Sequence, residues 1–210
     1  MKIDHLILGA YETNSYILRR NDDSGDCLII DTGLDAGNLP DFLAENALHP
    51  VALVFTHGHV DHIGGVTALR GKYPDMKVYI HKLDAEMLTR PEQNLSQMTG
   101  MPFSTEPQDS CLAEGDVVEQ AGVKLLVLHT PGHTPGGICL YSKEDSVAFV
   151  GDTLFADSVG RTDFPNGSMS QLVDGIKEKL FVLPDETKVY PGHGPATTIA
   201  HEKAHNPFIR

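Results

Sequence analysis

The 210-residue sequence predicts a layered α/β domain, and three observations point there. Short apolar strand-like runs alternate with helix-like stretches. Glycine- and proline-rich turns separate them. No linker, low-complexity tract or repeat divides residues 1–210, which read as a single domain. Composition agrees, since 40% hydrophobic and 21% charged residues suit a globular chain with one sizeable core.

Taken in order, NSYILRR and CLIID flank the turn-rich NDDSGD, a hairpin signal. Gly33 and Gly37 lead into a helix over 38–47, and VALVF at 51–55 reads as a short buried strand. A histidine-rich loop precedes a helix over 63–73, strand KVYI at 77–80 and a helical stretch over 82–89. Residues 90–113 carry Pro91, Pro102 and Pro107 with little periodicity, and a loop of that length is more often functional than idle. Strands follow near 117–129, 137–142 and 146–151, punctuated by Gly122, TPGHTPGG and KEDS. A helix over 168–180, strand KVY at 188–190 and a helix over 197–205 complete the series.

Sixteen basic against twenty-nine acidic side chains give a formal charge of −13. A surface that negative repels phosphate backbones, so no nucleic-acid partner is expected. The apolar runs LIIDTG, VALVFT, VKLLVL and VAFVG fall far short of the ~20 residues of a membrane span. The N-terminus has neither the basic start nor the small-residue cleavage site of a signal peptide, so a cytoplasmic location is expected. Cys27, Cys111 and Cys139 are odd in number and far apart, without a C-x-x-C pair, and support neither a disulfide framework nor a thiolate zinc site. Cys27 and Cys139 lie in strand-like runs and read as buried reduced thiols.

Histidine is the unusual count, at eleven. Residues 56–62 read Thr-His-Gly-His-Val-Asp-His directly after an apolar strand. Imidazoles and a carboxylate so crowded need hydrogen-bond or metal partners if buried, and a looped backbone could converge them on two centres. Three more candidates follow apolar runs in the same manner: His133 after VKLLVLHTPG, Asp152 after SVAFVG and His193 after KVYPG. Glycine adjoins each of them and allows the sharp turn that aims the next side chain into a shared cleft. Together these strand-end placements read as a metal site.

This pattern resembles the metallo-β-lactamase superfamily, whose signature is H-x-H-x-D-H followed by separate His, Asp and His ligands. The resemblance runs in order from Asp31-Thr32-Gly33 to the C-terminus. It implies a four-layer αββα sandwich with two divalent metal ions at one edge. His57, His59 and His133 would hold the first ion, and Asp61, His62 and His193 the second, with Asp152 bridging. An all-nitrogen-and-oxygen set suits zinc and admits iron or manganese. Asp152 stands where many true β-lactamases place cysteine, and His59 where the flavodiiron branch has glutamate. GDTLF, PGHGP, GRTDF and the ending NPFIR look most like short bacterial glyoxalase II-like hydrolases. Longer glyoxalase II enzymes continue into a helical region that grips glutathione, whereas only residues 194–210 follow His193 here.

The implied reaction is hydrolysis of a small thioester, S-lactoylglutathione first among them. Paired cations would lower a shared water's pKa from ~15.7 towards ~7, and the resulting hydroxide would attack the carbonyl. Asp61 and Asp152 are the catalytic carboxylates of this reading. A lactonase or other ester hydrolase on the same centre is one rival, and a mononuclear iron persulfide dioxygenase, which also shows GRTDF, is another. Arg161 has two open readings, contact with an anionic substrate or pairing with Asp163. Asp31 is expected to brace the ligand loop. His201-Glu202-Lys203-Ala204-His205 matches the zincin H-E-x-x-H, yet no further His, Asp or Glu follows, so a surface helix is expected. His5, His49, His81 and His129 read as structural, with His129 near enough to support the site. Oligomeric state has no signal in the sequence.

Overall fold

The computed structural model describes residues 1–209. Six strands form a first sheet in chain order: β1 (Lys2–Leu8), β2 (Thr13–Arg19), β3 (Asp26–Ile30), β4 (His49–Val54), β5 (Lys77–His81) and β6 (Ser110–Leu112). The second half supplies β7 (Val117–Gln120), β8 (Val123–His129), β9 (Ile138–Ser142), β10 (Val147–Gly151) and a two-stranded ladder, β11 (Leu154–Phe155) with β12 (Ser158–Val159). With β13 (Lys188–Pro191) and β14 (Thr197–Thr198) they build a second sheet ordered β14-β13-β10-β9-β8-β7. The helices are α1 (Leu39–Glu45), α2 (Val60–Ile63), α3 (Val66–Lys72), α4 (Met169–Gly175), which runs on into a π turn at Ile176–Leu180, and α5 (Ile199–His205).

Strand alternation sorts the core into three layers of packing. In β3, Cys27 and Ile29 face Leu39, Leu43, Val66 and Leu69 of α1 and α3. Leu28 and Ile30 face the other way, against Leu125, Val127, Leu140 and Phe149 of the second sheet. That sheet's outer face, with Cys139, Ala148 and Val150, packs under Leu172, Ile176 and Leu180 and reaches Ile199 of α5. The result is the expected helix–sheet–sheet–helix sandwich, and both strand cysteines are buried and free.

Local differences from expectation have local causes. The helix expected over 63–73 is α3, preceded by the single turn α2, and Gly64 and Gly65 between them let the chain pass close to the Leu34 and Thr32 carbonyls. The 82–89 stretch holds one 3-10 turn, Ala85–Leu88, and the 90–113 loop holds another, Ser96–Thr99, plus edge strand β6. The run near 117–129 is a hairpin whose turn, Ala121-Gly122, has φ of 51° and 69°, the pairing a tight I′-type reversal needs. The last helix starts at Ile199 because Thr197 and Thr198 pair with β13. Residues 2–8, not singled out by pattern, form β1 against β2. Among the described residues no helix is long and apolar enough to cross a membrane.

Phe149 is fully buried between the sheets. Phe149→Ala is expected to cost about 3–5 kcal/mol of unfolding free energy. A lower urea midpoint at unchanged slope would register it, and a loss under 1 kcal/mol would contradict this packing.

Candidate metal centre

Two parallel pairings bring the chemistry together. β3 lies parallel to β4 with Ile30 opposite Val54, so Asp31 emerges beside Thr56. β10 lies parallel to β13 with Gly151 opposite Pro191, which sets Asp152 beside Gly192 and His193. The two edges meet where Thr13, at the start of β2, bridges His193. His59 is extended, α2 then makes one helical turn, and Asp61 and His62 point to different neighbours. Gly192 leaves the room this requires, since a Cβ there would overlap the Asp152 carboxylate.

The six sequence-predicted His and Asp ligands and Asp152 all converge. His57, His59 and His133 offer nitrogens within 4.8 Å of one another, as do the donor atoms of Asp61, His62 and His193. Asp152 lies between the groups: its Oδ2 is 3.5 Å from His133 Nε2 and 3.7 Å from His193 Nε2, and its Oδ1 is 3.4 Å from His62 Nε2. Hydrogen-bond partners define which nitrogens are bare. His133 Nδ1 donates to the Arg161 carbonyl at 2.7 Å, and His62 Nδ1 donates to Asp31 Oδ2 at 2.8 Å. Both therefore turn Nε2 inward, His133 towards His59 Nδ1 at 2.9 Å and His62 towards His193 Nε2 at 3.3 Å. His57 Nε2 and Asp152 Oδ1 are buried with no hydrogen-bond partner. Orphaned acceptors aimed at shared points are what a cation would satisfy, so these residues fit two divalent ions.

Supporting contacts hold the set in place. Asp31, buried at φ 56°, accepts from Thr56 N at 2.9 Å, Thr56 Oγ1 at 2.7 Å and His62, the bracing role expected of it. Thr13 Oγ1 donates to the Asp61 carbonyl at 2.8 Å. Asn14 Nδ2 donates to the Pro191 and Gly194 carbonyls, each at 2.9 Å, and so fixes the His193 turn. Sequence reading missed Asn14, Thr13 and the fully buried Asp84, because an Asn or Thr in a strand and an Asp before a helical turn look ordinary. A carboxylate four residues past the strand KVYI, in KVYIHKLD, was the one available hint for Asp84.

The remaining candidates separate cleanly. Arg161 pairs with Asp163 through two bonds, 2.8 and 2.7 Å, and its guanidinium lies 4.1 Å from the Phe164 ring centre, yet it also lines the cavity beside the centre. That cavity, about 320 Å³, is walled by His59, Asp61, His133 and Asp152 on one side and by Tyr11, Leu95 and Met98 on another, so the 90–113 loop does reach the site. His129 donates to Pro135 O at 2.9 Å and stacks on His81 without touching the ligand groups. Within H-E-x-x-H, Glu202 is fully buried and its oxygens are taken by Asp157 N, Thr197 Oγ1 and Asn206 Nδ2. It clamps α5 to the β11–β12 turn.

The two groups differ electrostatically. Burial, reinforced by neighbouring imidazoles, pushes His57 well down and His59 to about 3. Burial opposes charge on His62 as well, but Asp152, Asp31 and Asp61 outweigh it and raise its pKa well above the usual value. His193 is raised too, against burial, by Asp61 and Asp152. Both aspartates are held low despite burial, chiefly by His62. Protons thus compete for the second group at higher pH than for the first. A divalent ion bound at His62 and His193 would then be released by stepwise acidification before one bound at His57 and His59, as metal analysis after dialysis would read; simultaneous loss of both would contradict this asymmetry.

Comparison with known proteins agrees with the geometry. The family model described as "Metallo-beta-lactamase superfamily" matches residues 8–193. A probable metallo-hydrolase, YqgX of Bacillus subtilis, is 37% identical over 211 residues, covering 100% of this chain and 98% of the relative. Hydroxyacylglutathione hydrolase GloC of Haemophilus influenzae is 34% identical over 211 residues, at 100% and 98% coverage. Among solved structures, BLEG-1 B3 metallo-beta-lactamase superposes with a TM-score of 0.93 at 38% identity, covering 99% of each chain. The strand-end ligand groups sit on the sandwich these proteins share, and the chain belongs to the metallo-beta-lactamase superfamily.

Proposed function

We propose that the protein is a cytoplasmic dinuclear metal hydrolase that cleaves a small thioester, with S-lactoylglutathione or a related hydroxyacyl thioester as substrate. The observation that carries the reading is the pair of facing ligand groups joined by Asp152 at the wall of the cavity. His57, His59 and His133 would hold one ion and Asp61, His62 and His193 a second, with Asp152 available to either; zinc is the first choice, with iron or manganese fitting the same donors. When bound, such ions would bring the pKa of a water towards ~7 and offset charge growing on a carbonyl oxygen.

The chain's own groups then have limited tasks. Asp61 and Asp152 keep the water's surroundings anionic and offset the cations, while Asp31 and the Arg161 carbonyl keep Nε2 of His62 and His133 turned inward. Among the described residues that line the cavity, no His, Glu, Lys or Cys lies outside the ligand set. The Tyr11 hydroxyl is the one general-acid candidate left in the lining, and a thiolate is the leaving group that needs such help least. The GloC likeness supports the same class. Arg161 contacts an anionic substrate at the mouth of the cavity: its pair with Asp163 is exposed on both sides and is easily exchanged for a substrate carboxylate.

Metal counting joined to a panel of glutathione thioesters, lactones, a persulfide and a β-lactam tests the reading. Two ions per chain and preference for thioesters are expected; one iron per chain with oxygen uptake, or preference for the lactam, would overturn it. Asp152→Ala should lower turnover more than alanine at any single ligand histidine, because it leaves two cations unshielded at close range. Near-normal turnover with both ions retained would remove Asp152 as the bridge. Arg161→Ala should raise KM several-fold for an anionic thioester and little for a neutral ester of the same acyl group, while Asp163→Ala, which frees the guanidinium, should lower the anion's KM. Equal effects on both substrates would make Arg161 structural.

A further inference from the structure

We propose that Asp84 is a positioning residue dedicated to the first ion, the one held by His57, His59 and His133; the inference rests on the dinuclear reading above. Asp84 lies beyond β5, is fully exposed to neither solvent nor the cavity, and is buried at 0% accessibility. Its carboxylate collects donors from two separate loops. Oδ2 accepts from Gly58 N at 3.1 Å, and Gly58 stands between His57 and His59. Oδ2 also accepts from Thr134 Oγ1 at 2.7 Å and Oδ1 from Gly136 N at 2.6 Å, in the loop that carries His133.

One rigid group thus spans the two chain segments that must bring three imidazoles together. The closeness is required of the sequence, because a side chain at Gly136 would overlap the Asp84 carboxylate. The same corner grips the His133 loop a second time, through His81 stacked on His129 at 4.2 Å and the bond from His129 to Pro135 O. None of the donors to Asp84 belongs to or adjoins Asp61, His62 or His193. Those are held elsewhere, by Asp31, Thr13 and Asn14. A fault at Asp84 should therefore open the first group and leave the second intact. Asparagine keeps the shape but turns one acceptor into an N–H that faces donors already present, so at least one of them is left unpaired.

Zinc affinities of the full chain, read by competition with a chromophoric chelator, test this in wild type, Asp84→Asn, His193→Ala and the double variant. Asp84→Asn should weaken one ion about 10–100-fold and leave the other within twofold. In the His193→Ala background, which removes one ligand of the second group and weakens it, the same substitution should weaken the remaining tight ion by the same factor. Thr134→Val removes one of the three donors and should weaken that same ion by less; it decides the matter alone if Asp84→Asn fails to fold. Equal weakening of both ions, or of neither, in protein with wild-type circular dichroism would overturn the assignment while leaving the dinuclear reading standing. A wild-type chain that takes up fewer than two zinc ions would instead overturn that reading, and this one with it.

Discussion

Imidazoles and carboxylates that converge on two adjoining points crowd one another, and holding them there is the constraint the rest of the chain serves. His57 Nε2 and Asp152 Oδ1 are buried without a partner, and each such group costs about 1–3 kcal/mol when left so. The two sheets and their flanking helices supply the apolar burial that offsets this cost. Strand ends suit the purpose because the ladder fixes the backbone up to the last paired residue, and the next side chain inherits that precision. The parallel pairs β3–β4 and β10–β13 do this twice, once in each sheet.

Behind the converging atoms, the supports are divided. The imidazole-only group is tied across its two loops by Asp84, whereas the carboxylate-rich group leans on Asp31, Thr13 and Asn14. Charge follows the same division. Three aspartates surround His62 and favour a cation there, while His57 and His59 stay neutral through burial. The cavity opens on both groups, with Arg161 on Phe164 and Leu95 and Met98 among its other walls.

Side chains with the right letters in the wrong surroundings show what distinguishes a site. Asp157, His201 and Glu202 lie as close together as the ligand groups do. Glu202, however, already accepts from backbone, hydroxyl and amide donors, so no lone pair waits for a cation. Around Asp152 the neighbours are ring nitrogens of His62, His133 and His193; around Glu202 they are N–H and O–H groups bonded to it. The difference lies in the partners and cannot be read from H-E-x-x-H.

By itself the sequence determined a layered α/β domain and pointed to the His and Asp side chains that the fold brings together. Period-two strands such as CLII and VAFV carry apolar residues on both faces, which demands a layer on each side, and His or Asp after each strand end marks where chemistry collects. It also located the β2–β3 hairpin and the buried thiols. It left open whether Arg161 pairs with Asp163, and it gave no reason to connect Asp84 to Gly58 and Gly136 or Asn14 to the His193 turn. Those contacts join residues 26, 52 and 177 or more positions apart in the chain. Only tertiary structure decides them, because a buried carboxylate or amide is specified by the donors that packing brings to it, and local periodicity carries no record of which distant backbone N–H or carbonyl that will be.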